Sequence, residues 1–201
     1  ADAVGLSREN ATTYLKTLEI LDLIERVTPV TEPEARRGLY RIRDPFFNFW
    51  FGFVGPNKRQ LELGLEEGVW GGIREEFNRY LGQVFEEVCR EALVEMAKRN
   101  MLPIGVQRIG RWWRRETEIN ILALETTSRR ALAMEAKWSQ IDHREAKRIL
   151  AGLAVKAAKI PEVEESIQGI MAKEIEGKEE IQREGFMALD LQDVKNLTVS
   201  L

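Results

Sequence analysis

Glu135 and Lys137 stand two residues apart in ALAMEAKW, and Glu118 and Asn120 stand two apart in EINILALE. Both stretches read as strands, and strand side chains alternate between faces. Glu135 and Lys137 therefore share one side, while Met134, Ala136 and Trp138 take the other. On the neighbouring strand Glu118 and Asn120 share a face, with Ile119, Ile121 and Ala123 opposite. A pairing that sets Asn120 against Glu135 brings three or four polar groups to one spot. Two acidic oxygens there would hold Mg²⁺ against a phosphate, and the lysine would orient or deprotonate an attacking water. Asn120 is the odd member, because an amide oxygen can ligate a hard cation but brings no charge. The bland alternative is an ordinary ion pair between Glu135 and Lys137 on a solvent-facing strand.

The elements that must position these groups follow from hydrophobic period and punctuation. Ser7 reads as a helix N-cap, and Ala11, Tyr14, Leu15, Leu18 and Leu21 fall at helical spacing behind it. Arg8, Thr12, Thr13 and Lys16 lie on the opposite face. Strands around Ile24 to Val30 and over LYRIR enclose the turn TEPEARRG with its basic tip, Arg36 and Arg37. Helix, hairpin and basic tip make the second half of a winged helix over residues 1–43. Asp44 and Pro45 start a new helix. Its run of Phe46, Phe47, Phe49, Trp50, Phe51 and Phe53 leaves no polar face, so Phe47, Trp50 and Phe51 are expected to be buried. That aromatic helix and a linker with a turn at GPNKRQ fill residues 44–71. From Gly72 a long helix presents Phe77, Leu81, Val84, Phe85, Val88, Cys89, Ala92 and Met96 on one side. After Pro103 come a strand at Gly105 to Arg108, the stretch GRWWRRE, and the two strands of the site. Asp142 then caps a helix whose apolar face is Ala146, Ile149, Leu150, Leu153, Ala154 and Ala157, with Glu145 completing a capping box. KEIEGKEEIQREG is polar, and FMALDLQDV reads as a final strand. His143 reads as a surface residue of a first helical turn, and Trp112 and Trp113 as core.

With 201 residues the chain can bury a real core, and 31% charged with 44% hydrophobic residues describes a globular protein. A single cysteine, Cys89, excludes an intrachain disulfide framework and points to a reducing, cytoplasmic setting. No apolar run approaches the ~20 residues that span a bilayer, so no membrane is expected. No G-x-x-x-x-G-K-[ST] loop is present, so this chain carries no Walker-type nucleotide site. The first residue is Ala1, which suggests a piece of a longer polypeptide. The dense Glu, Lys and Arg content fits a hot environment. Net charge is −3, but residues 105–160 hold 12 Lys and Arg against 6 Asp and Glu. Residues 161–201 reverse that balance, 4 against 10. A basic block beside an acidic tail either binds anions or pairs with itself.

DPFFNFW, GRWW, EINILALE and ALAMEAKW together resemble the C-terminal region of a family of archaeal P-loop ATPases. The resemblance covers almost the whole chain and implies an α/β fold. Over residues 72–201 that means a restriction-endonuclease-like PD-(D/E)xK mixed sheet flanked by helices, preceded by a partial winged helix and, upstream in the same polypeptide, an ATPase domain. By position, Glu135 matches the second acid of the nuclease motif and Lys137 its lysine. Asn120 takes the place of the first acid, with Glu118 one strand step away as a substitute. Glu86 or Glu87, on the long helix, sits where such folds add another carboxylate, and Mg²⁺ is the implied cofactor if the site is active. Arg8, Thr12, Thr13, Lys16, Arg36, Arg37, Arg111, Arg114 and Arg115 become candidates for duplex DNA, with Arg129 and Arg130 flanking the site. Three functions stay open: a DNA-engaging region whose hydrolytic site is weakened or lost through Asn120, a working Mg²⁺-dependent endonuclease, and a non-catalytic interaction module of the ATPase.

Overall fold

In the computed structural model residues 5, 7–32, 34 and 38–199 are described, residues 8, 198 and 199 by their backbone alone. Two compact units divide the chain, one of residues 1–28 and 34–80, the other of residues 29–33 and 81–201.

In the first unit α1 (Arg8–Ile20) begins where the Ser7 hydroxyl accepts a hydrogen bond from the Asn10 backbone N–H at 3.2 Å. β1 (Ile24–Val27) and β2 (Leu39–Ile42) form an antiparallel hairpin. Arg36 and Arg37 lie outside the described residues. Tyr14 and Leu21, expected inside, are exposed. α2 (Pro45–Phe49) opens as its sequence dictates, with the Asp44 carboxylate accepting from the Phe46 N–H at 2.7 Å. A π turn (Trp50–Val54) and a 3-10 turn (Gly55–Asn57) follow, then α3 (Lys58–Glu62) where a simple turn was expected.

The aromatic segment corrects the sequence expectation. Phe53 is buried, but Phe46, Trp50 and Phe51 are 59%, 38% and 64% exposed. Only Phe49 and Phe53 reach the rings of Phe77 and Tyr80, so one side of this short segment packs while the other stays in solvent. α4 (Glu66–Lys98) starts at Glu66 rather than at Gly72 and runs on into the second unit.

The second unit is a five-stranded sheet in the order β3 (Arg108–Arg114), β4 (Thr117–Glu125), β5 (Arg130–Ile141), β6 (Glu165–Ile175), β7 (Met187–Asp190). The first three strands are antiparallel, and β5, β6 and β7 are parallel. Parallel neighbours need a crossover. α5 (His143–Ala157) supplies it between β5 and β6, its N-terminus capped by the Asp142 carboxylate on the Glu145 N–H at 2.7 Å. α6 (Lys178–Arg183) joins β6 to β7, and α7 (Leu191–Val199) ends the described chain. The expected strand at Gly105 begins instead at Arg108, and FMALDLQDV splits into β7 and the start of α7.

One face of the sheet packs Ile121, Leu132, Met134 and Met171 on Phe85, Cys89 and Leu93 of α4. The other packs Ile119, Leu122, Ala131 and Ala133 on Leu153 and Ala157 of α5. Strand β6, unmarked in the sequence, crosses the centre of this core at Gly169. A Cβ there would overlap Met134 Sδ and lie 2.8 Å from Met187 Cβ. Gly169→Ala should therefore destabilise the protein by about 1–3 kcal/mol through overpacking. Urea unfolding checks this, and a neutral result would mean the Met134 side chain has room to move.

Candidate functional site

Where β4 leaves β5, the predicted polar groups gather. The β4–β5 ladder runs from Glu125 opposite Arg130 to Ile121 opposite Met134 and stops. One more step would have paired Asn120 with Glu135, the register expected from the sequence. Instead the first half of β4 stays with β3. Between the pairs Gly110–Leu122 and Trp112–Ile119 only Arg111 intervenes on β3, against Asn120 and Ile121 on β4. Two residues facing one is a β-bulge, which re-aims side chains. Its effect is visible in the core, because Ile119 packs on the α5 side while Ile121 packs on the α4 side. The expectation that these two share a face is thus overturned by the bulge. The Val30 N–H donates to the Arg111 carbonyl at 2.9 Å and holds the single residue in place.

Asn120 is 8% exposed. Its Oδ1 accepts from the Ala136 backbone N–H at 3.2 Å, taking the role of the strand that has departed. Its side chain also lies beside the Glu86 carboxylate and favours that group's charged form. Because carboxylates only accept, the amide Nδ2 is the group of Asn120 that suits this neighbour. An amide can serve both neighbours at once; an ionised aspartate could not.

Glu86 lies on the α4 side of the fork. Burial holds its carboxyl above the usual range, and the nearby Glu118 and Glu135 push the same way. Arg111 and the Asn120 side chain oppose them. Arg111 Nη2 stands 3.7 Å from both Glu86 Oε2 and Glu118 Oε2. Glu87, the other helix candidate, turns to Arg90 on its own helix. Cys89, one turn on from Glu86, has its thiol pushed up to about 12 by burial and by that glutamate, so it is no nucleophile.

Glu135 faces α5. Its Oε1 is 2.9 Å from Lys137 Nζ, and its Oε2 is 3.5 Å from Lys156 Nζ. Lys156 carries no signal in the sequence, since it lies on α5, which only the crossover brings beside β5. Three carboxylates and three cations thus compensate one another. The donor set does not suit Mg²⁺ as arranged: both Glu135 oxygens face ammonium groups and Asn120 Oδ1 is committed to Ala136. Among the described residues no three His, Cys, Asp or Glu side chains are grouped to hold a metal ion.

The basic candidates separate. Arg114 and Arg115 are exposed at the β3–β4 turn, where Arg115 adopts the left-handed conformation at φ 55°. Neither makes an ion pair among the described residues. Lys159, at the end of α5, reaches Thr117 Oγ1 at 3.4 Å and so adds its charge to that turn. Arg129 and Arg130 are tied to Glu164 and Glu165. In the first unit Thr12, Thr13 and Lys16 are exposed on α1, with the Thr13 hydroxyl donating to the Glu9 carbonyl at 3.1 Å. The side chain of Arg8 is outside the described residues. No described helix is long and apolar enough to cross a membrane.

A mixed α/β unit with a polar fork between strands is the class that fold and site define. Residues 50–149 match the family DUF234, described as Archaea bacterial proteins of unknown function. An uncharacterized protein of Methanocaldococcus jannaschii is 38% identical over 181 residues, covering 88% of this chain and 40% of its own length. The chain therefore spans about two fifths of that relative. No solved structure matches.

Proposed function

We propose that this chain is a DNA-engaging region of a larger ATPase-type protein. In this reading a remnant winged helix precedes a restriction-endonuclease-like domain whose hydrolytic centre has been lost. The fork is the observation that carries it. In this reading Glu135 and Lys137 correspond to a nuclease's second acid and lysine, and the counterpart of the first acid is Asn120, a buried amide that holds the Ala136 N–H. The charge that a cation would have to neutralise is already balanced by Arg111, Lys137 and Lys156. What remains for nucleic acid is the exposed Arg114 and Arg115, without an ion pair among the described residues, with Lys159 beside them, suited to backbone phosphates.

Duplex DNA should bind with an affinity that falls steeply between about 50 and 200 mM salt, as counterion release requires. Arg114→Ala with Arg115→Ala should weaken binding to every sequence alike. No strand scission should accompany binding in Mg²⁺ or Mn²⁺. Absence of binding at low salt would leave the interaction module, and metal-dependent cleavage lost in Lys137→Ala would establish the working endonuclease.

A further inference from the structure

We propose that Lys137 and Lys156 form a seat for one nucleic-acid backbone phosphate, which Glu135 fills with its own carboxylate until the phosphate displaces it. This rests on the DNA-engaging reading above and assigns its central contact. The two ammonium groups come from different elements, β5 and α5, and each takes a different oxygen of the same carboxylate, at 2.9 and 3.5 Å. A phosphodiester offers the same pattern, two anionic oxygens on one small centre. Access favours exchange as well. The Glu135 side chain is 13% exposed, whereas Lys137 and Lys156 are 41% and 35% exposed, so an incoming anion meets the lysines from solvent.

The seat also lies on a path of positive charge. Lys159 lies in the turn just past the end of α5 and touches Thr117, which pairs with Arg114 next to Arg115. Arg111 is not part of the seat, because it is turned to Glu86 and Glu118. A Glu135 that merely staples β5 to α5 would have no bearing on DNA affinity. A Glu135 that occupies the seat competes with every phosphate, and its removal strengthens binding.

The test measures affinity of the full chain for a short duplex DNA in EDTA at fixed low salt. Glu135→Gln should bind about three- to tenfold tighter than the parent, the scale of one partly exposed charge contact. Glu116→Gln, an exposed residue of the β3–β4 turn with the same change of charge, should gain less than about twofold. Lys156→Gln should bind about three- to tenfold more weakly. If Glu135→Gln does not fold, Glu135→Asp keeps the charge but withdraws the carboxylate by one methylene, and it too should tighten binding. Glu135 variants no tighter than Glu116→Gln, or an unchanged Lys156→Gln, would overturn the seat while the parent's binding keeps the proposed function. No binding by any variant would overturn both.

Discussion

Asn120→Asp should destabilise the protein at neutral pH by about 2–4 kcal/mol, although the two side chains have nearly the same shape. The amide lies beside Glu86 and accepts from the Ala136 N–H. Aspartate keeps that bond but replaces a neutral amide beside Glu86 with a new charge, set against a carboxylate already raised by burial. The pH dependence follows from the sign of that shift. A carboxyl raised in the folded state binds its proton more tightly there than in the unfolded chain. Its penalty is therefore full above the raised value and shrinks as pH falls towards the ordinary carboxylate range near 4. The introduced carboxyl and Glu86 would share one proton, so the variant should lose less stability near pH 5 than near pH 8. Urea midpoints of both proteins at the two values measure the difference. Recovery of the variant's stability by millimolar Mg²⁺ would instead show a cation bound at the fork, by mass action, and would favour the hydrolytic alternative.

Phe53→Ala should cost about 3–5 kcal/mol, the usual effect of removing a large buried aromatic. Its ring lies 5.5–5.8 Å from those of Phe49, Phe77 and Tyr80, at the centre of the aromatic packing of the first unit. Trp50→Ala should cost less, about 1–2 kcal/mol, because Trp50 is 38% exposed and its ring partner Phe46 is more exposed still. Thermal unfolding of the two variants tests the contrast. Equal losses would mean that the exposed face of this segment is covered in solution.

The difference between Phe53 and Trp50 shows what the sequence could not carry. Six aromatic residues in eight positions mark a segment that packs, but which side packs depends on Phe77 and Tyr80, a full helix away in the chain. The strands of the site were more legible. Strict alternation in ALAMEAKW put Glu135 and Lys137 on one face, and the register sum that pairs Ile121 with Met134 is the one that sets Asn120 against Glu135. The bulge was invisible because Ile119, Asn120 and Ile121 read as smooth alternation whether or not the strand kinks. β6 escaped because its central Gly169 weakens a strand signal, and that glycine is explained by two methionines distant in the chain, Met134 and Met187. Asp142 and Ser7 were found as caps because capping is local chemistry. Lys156 is the opposite case, a half-exposed lysine whose partner is fixed by a crossover.

The end of the β4–β5 ladder also bears on how the fork breathes. Beyond Met134 the ladder to β4 is gone, and the Ala136 amide relies on one side chain for its partner on that side. Its protection from solvent hydrogen exchange is thus borrowed from a rotamer of Asn120 rather than secured by a neighbouring strand. A backbone group held this way opens when a single χ angle turns, without unfolding of the sheet. The site can therefore loosen at its centre while the surrounding core remains closed.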